Sequence, residues 1–240
     1  MQSILNVESV SKRYRNNYLF QDVSFSVYAG ETFGLFGANG EGKSTLCKCI
    51  IGLEPLDSGR VIFDGHDITN ISRREFRKYQ RSLQMLFQNP ETSLDPRMRL
   101  IDSVTEPLSY HENKNRSEVF NELLPVIEAV GLRPDKFLNY PYQLSGGEVQ
   151  RAMLVKVYSL LPKLIIADEP TSMLDMSIQA QILSLMKKLQ QKNNTAYIFI
   201  SHEPDVIINM CDRIGVLRSG QFDIYSSSEF RESWYDLINS

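Results

Sequence analysis

Short apolar runs separated by polar turns dominate the first third of the chain. Between about Ile4 and Phe36, the runs ILNVESV, VSFSV and TFGLF are rich in Val, Phe and Leu, and glycine or polar residues separate them. Runs of this length and composition predict strands. The segments GRVIFDG (59–65) and LQMLFQ (83–88) continue the pattern. We therefore expect the N-terminal part of the chain to be rich in β-structure.

From about Pro90 to Leu161 the pattern changes to helical spacing, which predicts a helical insertion over residues 90–161. Gly131 follows the clearest apolar stripe and is the residue type that commonly ends a helix. The stripe consists of Val119, Leu123, Val126, Ile127 and Val130.

Beyond the insertion, buried strands and helices alternate. LIIADE (164–169), TAYIFIS (195–201) and RIGVL (213–217) are apolar strand-like runs. Between the first two lies a stretch with apolar residues at helical spacing, which are Ile178, Ile182, Leu185 and Leu189. Continuous apolar strands that alternate with helices are typical of a parallel sheet covered on both faces. The predicted fold class is α/β with a mainly parallel sheet.

Length and charge limit the function classes. The 240 residues, 42% of them hydrophobic, make one globular unit with a modest insertion and exclude two large independent domains. Basic and acidic residues number 26 and 29, so the net charge of −3 argues against binding to nucleic acid through overall charge. No apolar run approaches the roughly 18 residues of a membrane span, and the first residues lack a secretion signal. We expect a cytoplasmic protein.

The three cysteines are sparse and odd in number, which is typical of reduced thiols in a reducing compartment. Cys47 and Cys49 could be half of a metal site. On a helix, however, residues two apart do not share a face. Ordinary packing is therefore the preferred interpretation.

Residues 37–44, GANGEGKS, match the phosphate-loop pattern G-x-x-x-x-G-K-[ST] between a predicted strand and a predicted helix. Glycines let consecutive backbone N–H groups surround an anion, and the helix N-terminus adds positive potential. Lys43 would reach the β- and γ-phosphates, and the Ser44 hydroxyl would bind Mg²⁺. The alternative, a tight turn that happens to contain lysine, receives little weight. The predicted ATP-binding residues are Gly37, Asn39, Gly40, Glu41, Gly42, Lys43, Ser44 and Thr45.

Two adjacent carboxylates follow the apolar strand 164–167. They stand at the strand end, where open α/β sheets bind their ligands. Asp168 can hold Mg²⁺, and Glu169 can act as general base toward an attacking water. The other interpretation is a pair of solvated acids at the start of a loop. With a phosphate loop in the same chain, ATP hydrolysis is the preferred prediction.

Residues 144–148, LSGGE, precede the helix-like run VQRAMLVKVYSLL. Alone, this segment is most simply a loop followed by a helix cap. A second glycine-rich helix start is also a second anion site. The chain has one phosphate loop, so that site lacks a ligand unless a neighbouring ATPase chain supplies it.

The order and spacing of these three motifs resemble those of the ATP-binding subunits of ABC transporters, over about Ile4 to Tyr225. The resemblance implies a P-loop NTPase core, an N-terminal antiparallel β subdomain and an inserted helical subdomain, within a single ABC ATPase domain over residues 1–240. It also implies that two ATPase domains sit head to tail. Residues that would then clamp ATP held by the partner chain are Ser145, Gly146, Gly147 and Glu148.

Further roles follow from the resemblance alone. Gln88 resembles the glutamine that meets Mg²⁺ and the attacking water, and its amide is both donor and acceptor. His202 resembles the histidine that contacts the γ-phosphate. Asp175 lies in a stretch resembling the loop through which two ATPases communicate, although Met173 replaces the usual small residue.

The family stacks an aromatic ring on adenine, from a position upstream of the phosphate loop. Tyr14 is the best-placed candidate. Tyr18 and Phe20 compete with it, and each of the three could equally be an ordinary aromatic residue of a sheet.

The segment LFQNPETSLDPRMRLIDSVTEP (86–107) resembles the branch that serves peptide and nickel importers, and the YPYQ run at 140–143 agrees with it. The implied partners are a second ATPase subunit, with a heterodimer preferred over a homodimer, two membrane permease subunits and an extracytoplasmic solute-binding protein. Nucleic acid is not among them. The implied location is the cytoplasmic face of the membrane, as a peripheral protein.

Other classes fit less well. A soluble ABC ATPase of DNA repair or translation shares the nucleotide site, but it normally carries a coiled-coil insertion or two ATPase domains. In a GTPase or a small-molecule kinase, the LSGGE segment would have no function. The pattern N-K-x-D, which recognises guanine in GTPases, does not occur in the sequence. Since Ser240 closely follows the last predicted strand, we expect no regulatory C-terminal domain.

Overall fold

Two β-sheets and a set of helices make up the structure. It is a computed structural model that describes residues 3–15, 17–88 and 94–239, with side chains described to residue 234. The strands are β1 (Ser3–Tyr14), β2 (Asn17–Tyr28), β3 (Thr32–Phe36), β4 (Ser58–Phe63), β5 (His66–Asp67), β6 (Leu83–Leu86), β7 (Leu164–Asp168), β8 (Ala196–Ile200), β9 (Arg213–Arg218) and β10 (Gln221–Ser226). The helices are α1 (Lys43–Ile50), α2 (Arg73–Phe76), α3 (Leu100–Glu112), α4 (Arg116–Ala129), α5 (Gly146–Tyr158), α6 (Met176–Asn193), α7 (Pro204–Met210) and α8 (Ser227–Asn239).

The larger sheet has the order β10-β9-β3-β8-β7-β6. Its neighbours run parallel except for the antiparallel hairpin of β9 and β10. Ile200 at the end of β8 pairs with both Leu35 of β3 and Asp168 of β7. The carboxyl ends of these three strands therefore meet at one edge, where ligands of open α/β sheets bind.

The smaller sheet is antiparallel, with the order β2-β1-β4-β5. Together, the two sheets confirm the predicted mainly parallel core and the antiparallel N-terminal subdomain.

Alternate residues of the central strands enter two different hydrophobic cores. Leu164 and Ile166 of β7 pack on the side of α1 and the antiparallel sheet. Ile165 and Ala167 pack on the opposite side, with residues of α5, α6 and α7. All four side chains are fully buried, and burying a side chain of the size of Leu or Ile is worth about 1.5–3 kcal/mol. The predicted covering of both sheet faces is confirmed.

The predicted helical segment contains α3, α4 and α5, together with 3-10 turns at Pro134–Leu138 and Pro141–Gln143. Asn115 caps α4 by accepting a hydrogen bond from the backbone N–H of Glu118, and Gly131 follows the helix with φ 66°. The predicted apolar stripe faces the core, with Val119, Ile127 and Val130 buried. The predicted start of the segment near residue 90 lies outside the described residues.

Two observations concern the cysteines and the membrane. Cys47, Cys49 and Cys211 are buried free thiols, and burial raises the pKa of Cys49 to about 11. The longest helix in the described part of the chain is α6, and its 18 residues include several Lys and Gln. Within 3–15, 17–88 and 94–239, no helix combines the length and apolarity that crossing a bilayer requires.

Candidate active site

The phosphate loop connects β3 to α1. Gly42 immediately precedes α1 with φ 100°, a backbone conformation that strongly favours glycine. A Cβ atom at Gly37 would lie 2.3 Å from the backbone oxygen of Leu217, so this position also requires glycine. The Lys43 Nζ donates hydrogen bonds to the carbonyl oxygens of Gly37 (2.7 Å) and Ala38 (2.8 Å). The loop therefore folds around the lysine ammonium.

Lys43 is a buried cation at the centre of the site, only 6% exposed. Burial lowers the pKa of Lys43, whereas the nearby carboxylates of Glu169, Asp168 and Glu41 raise it. Its hydrogen bonds end on neutral carbonyl groups. A phosphate oxygen is a stronger, charge-assisted acceptor, so this ammonium can bind a triphosphate.

Ser44 and Asp168 meet at the sheet edge. The Ser44 Oγ donates to the Asp168 Oδ1 at 3.1 Å, across 124 residues of sequence. Burial raises the pKa of Asp168, the hydrogen bond from Ser44 lowers it, and the charge of Glu169 raises it. A hydroxyl and a carboxylate side by side are hard oxygen donors of the kind that Mg²⁺ prefers. The donor set therefore fits the predicted metal.

Glu169 follows β7 in a left-handed backbone conformation, with φ 47°. Such a conformation costs about 1–3 kcal/mol for a residue other than glycine and persists where the surroundings enforce it. Here the Glu169 N–H donates to the Ile200 carbonyl at 3.2 Å. The backbone turn directs the carboxylate, which is 11% exposed, into the site.

The Glu169 carboxylate is held between two side chains. The Gln88 Nε2 donates to its Oε2 at 3.0 Å, and the His202 Nδ1 lies 3.0 Å from its Oε1. Gln88 follows the end of β6 by two residues, and His202 follows β8 by two residues. Parallel strand order thus assembles three residues that are far apart in sequence. A fixed carboxylate of this kind can accept a proton from a bound water.

A cavity of about 640 Å³ joins these groups to the phosphate loop. It brings together ten of the predicted residues. They are Tyr14, Asn39, Gly40, Gly42, Lys43, Ser44, Thr45, Gln88, Glu169 and His202.

The structure separates the three candidate aromatic residues. Tyr14 lines the cavity and is half exposed. Tyr18 lines a different groove, beside Ser219 and Gly220, and Phe20 is fully buried in the core. Tyr14 is therefore the candidate that shares a cavity with the phosphate loop.

Glu41 belongs to the phosphate loop, but its side chain lies behind it. Its Oε2 accepts a hydrogen bond from the backbone N–H of Ser219 at 2.7 Å. Only the backbone of Glu41 is therefore available to a nucleotide in the cavity, on the opposite side of the phosphate loop from the Glu41 carboxylate. The carboxylate instead ties the loop to the turn between β9 and β10.

The LSGGE segment lies apart from the cavity, at the start of α5. Ser145 is exposed and caps this helix, because its Oγ accepts from the Glu148 N–H at 3.4 Å. Glu148 also forms an ion pair with Lys136 at 2.9 Å. Gly146 is exposed and Gly147 is half-buried. None of these four predicted residues lines the cavity of this chain.

Asp175 also lies outside the cavity and caps α6 by accepting from the Ile178 N–H at 3.0 Å. Its neighbours Ser172 and Met173 do line the cavity, and Met173 is 71% exposed.

Two residues that contribute to the site were not predicted from the sequence. Leu19 of β2 lines the cavity, and its Cγ would lie 2.7 Å from a Cβ built at Gly42. Glu54, after α1, accepts a hydrogen bond from the Tyr14 hydroxyl. Neither residue lies in a motif, so only the packing of the antiparallel sheet on α1 could reveal them.

Residues 20–172, which include the phosphate loop and Glu169, match the family described as ABC transporter. The chain belongs to the ABC transporter family. It is an ABC-type ATPase with the fold of P-loop NTPases, as predicted. A relative in this family is the dipeptide transport ATP-binding protein DppF of Lactococcus lactis subsp. cremoris, 39% identical over 216 residues, which cover 89% of this chain and 69% of the relative.

One further relative and one solved structure extend the similarity. The oligopeptide transport ATP-binding protein OppF of Streptococcus mutans is 36% identical over 235 residues, which cover 95% of this chain and 76% of the relative. Among solved structures, the dimeric post-hydrolysis state of the ATP-binding cassette MJ0796 bound to ADP and Pi is similar, with a TM-score of 0.81 and 25% identity. The match covers 93% of this chain and 98% of that one.

Proposed function

We propose that this ABC-type ATPase is the ATP-hydrolysing subunit of a peptide importer. One observation carries the hydrolytic part of the proposal. The Glu169 carboxylate is fixed between the Gln88 amide and the His202 ring, in the cavity that contains Lys43. A carboxylate beside a phosphate site, with both oxygens oriented, is what a general base for water requires.

Each residue then has a chemical task. Lys43 and the loop amides bind the phosphates of ATP. Glu169 accepts the proton of the water that attacks the γ-phosphorus, and His202 contacts the γ-phosphate. Ser44, Asp168 and Gln88 would hold Mg²⁺, which when bound neutralises charge on the β- and γ-phosphates.

The second half of each ATP site would come from another ATPase chain. Support comes from Ser145 and Gly146, which are exposed and lie outside this chain's own cavity. A glycine-rich helix start offers backbone N–H groups to an anion. We propose that Ser145, Gly146, Gly147 and Glu148 close on ATP held by a head-to-tail partner, with Asp175 near the contact. The branch resemblance favours a related second ATPase, a heterodimer, over a second copy.

A groove beside Gln88 is the proposed contact with the permease. It has a volume of about 600 Å³ and lies between β6, α3 and α5. Phe87, next to Gln88, lines it and is 39% exposed. Movement of a helix seated there would displace Gln88 and so reach Glu169. The proposed complex contains two permease subunits and a solute-binding protein, with this chain at the cytoplasmic face of the membrane.

The cargo assignment rests on the relatives. Those reported above are called dipeptide and oligopeptide transport ATP-binding proteins. Their names support peptides over nickel chelates, the other class that the branch resemblance allowed. We further propose that residues 1–240 form one ABC ATPase domain. A soluble ABC ATPase detached from any transporter is the alternative.

The test measures membrane attachment and uptake in the same cells. The tagged chain should copurify with two permeases and a second ATPase from detergent-solubilised membranes. Cells carrying Glu169→Gln should lose uptake of labelled peptide and keep uptake of labelled nickel. Recovery of the chain in the soluble fraction without permeases would favour the alternative. Loss of nickel uptake alone would overturn the peptide assignment.

A further inference from the structure

The ring of Tyr14 stands at the edge of the ATP cavity, at the end of β1. Arg15, the next residue, has φ 57°, and the chain then turns back into β2. The ring is 51% exposed. A half-exposed side chain beside a turn samples several rotamers unless something outside the strand holds it.

Glu54 supplies that restraint. The Tyr14 hydroxyl donates to the Glu54 Oε2 at 2.5 Å. Glu54 is itself anchored, because its backbone N–H donates to the Lys48 carbonyl of α1 at 3.2 Å. The phosphate loop leads directly into α1. The hydrogen bond therefore ties the ring to the same rigid helix whose N-terminus faces the phosphates.

Lys12 closes one side of the ring. Its Nζ lies 5.5 Å from the ring centroid and donates to the Pro55 carbonyl at 2.6 Å. Lys12 is only 7% exposed, so this cation is part of the packing. The cation on one face and the hydrogen bond of the hydroxyl restrict the ring before any ligand arrives. Such preorganisation increases affinity because the ordering cost is met in advance.

We infer that Glu54 is a positioning residue for nucleotide binding, which holds the Tyr14 ring in place for the base of ATP. The inference rests on the proposed function and on the role predicted for Tyr14, that of the ring on which adenine stacks. Glu54 acts through Tyr14 and does not touch the reacting atoms. Loss of Glu54 should weaken the binding of ATP, which carries a base, and leave the rate of γ-phosphate hydrolysis unchanged.

The experiment compares two ligands, ATP and inorganic tripolyphosphate, which lacks the base. Charge-assisted hydrogen bonds are among the stronger ones, so Glu54→Ala and Tyr14→Phe should each weaken ATP binding by about threefold to tenfold. The affinity for tripolyphosphate and the kcat of ATP hydrolysis should not change. The KM for ATP should rise in parallel with the Kd for ATP. The double variant should be no weaker than either single one, because both remove the same bond. Glu54→Gln keeps an acceptor but loses the charge, so it should recover part of the affinity for ATP.

Control variants distinguish the positioning role of Glu54 from the stacking role of Tyr14. Glu8→Ala removes another carboxylate of the same subdomain, one that pairs with Arg60 at the surface, and should leave ATP affinity unchanged. Thermal unfolding of each variant shows whether the fold is intact. Normal ATP affinity in Glu54→Ala, or additive losses in the double variant, would overturn the positioning role. Normal ATP affinity in Tyr14→Ala would instead overturn the stacking role of Tyr14, and the inference with it.

Discussion

Replacing Glu169 by glutamine is the most direct test of the catalytic geometry. The side chain keeps its size, and its amide oxygen can still accept the hydrogen bond from the Gln88 Nε2 that Glu169 accepts at 3.0 Å. The amide cannot accept a proton from water. Packing is therefore nearly preserved while the basic function is removed.

The size of the expected effect follows from the role. General-base catalysis contributes about 10²–10⁴ in rate, or about 3–5 kcal/mol of transition-state stabilisation. The binding of ATP in the ground state should respond differently, because Glu169 is a negative charge close to where the negatively charged phosphates bind. Its charge also raises the pKa of Asp168, which lies beside Ser44. Glu169→Gln should therefore lower kcat by about 10²–10⁴ and bind ATP at least as tightly as the unmodified protein.

The assay is phosphate release by the purified transporter complex in single-turnover and steady-state modes, with ATP affinity from a fluorescent nucleotide. Glu203→Gln is the matched control. Glu203 is next to His202 in sequence, but its carboxylate accepts from the Gln179 Nε2 at 3.0 Å, outside the cavity. It should keep kcat within about twofold. A kcat for Glu169→Gln within about tenfold of the unmodified protein would refute the general-base role.

Three further predictions concern the partner contact, the metal site and the core. Ser145→Arg, a bulky cation at an exposed helix cap, should abolish ATP-driven dimers in size-exclusion chromatography, and normal dimers would count against the clamp. Burial holds the pKa of Asp168 above its unfolded value of 3.8, so its ionisation in the folded state destabilises the fold as pH rises through the folded pKa. Asp168→Asn should therefore raise the Tm of the nucleotide-free protein at neutral pH, and a gain in Tm that does not shrink as pH falls toward 3.8 would contradict this. Tyr197→Phe leaves the buried Tyr158 hydroxyl without its partner and should lower the free energy of unfolding by about 1–3 kcal/mol in urea titrations, whereas an unchanged midpoint would argue against that bond.

The three aromatic candidates for the adenine site differ in burial and position although their sequence signals are similar. Alternation along a strand indicates which face a side chain occupies, but not what that face contacts. The pairing of β1 with β2 also contains several register shifts, and Ser9 and Asp22 have positive φ there. Simple alternation therefore fails in this hairpin. The sequence ranked Tyr14 first without excluding Tyr18, whereas the tertiary structure shows that, of the three, Tyr14 lines the cavity of the phosphate loop.

Glu41 and Glu54 show the same limit. The phosphate-loop pattern includes Glu41 but says nothing about the direction of its side chain, which the Ser219 N–H decides from 178 residues away. Glu54 stands outside every motif, and its contact with Tyr14 spans 40 residues. Both contacts depend on how separate elements pack.

The sequence by itself determined the elements and the local chemistry of this ATPase. The apolar periodicity, the glycines that end strands and helices, and the phosphate loop are local signals. Each depends on backbone conformations and side chains within a few residues. The two carboxylates at the end of β7 were predictable for the same reason. Only the tertiary structure decided that Gln88 and His202, 81 and 33 residues from Glu169, both contact its carboxylate. That decision comes from the order of the parallel strands, which brings distant strand ends to one edge of the sheet.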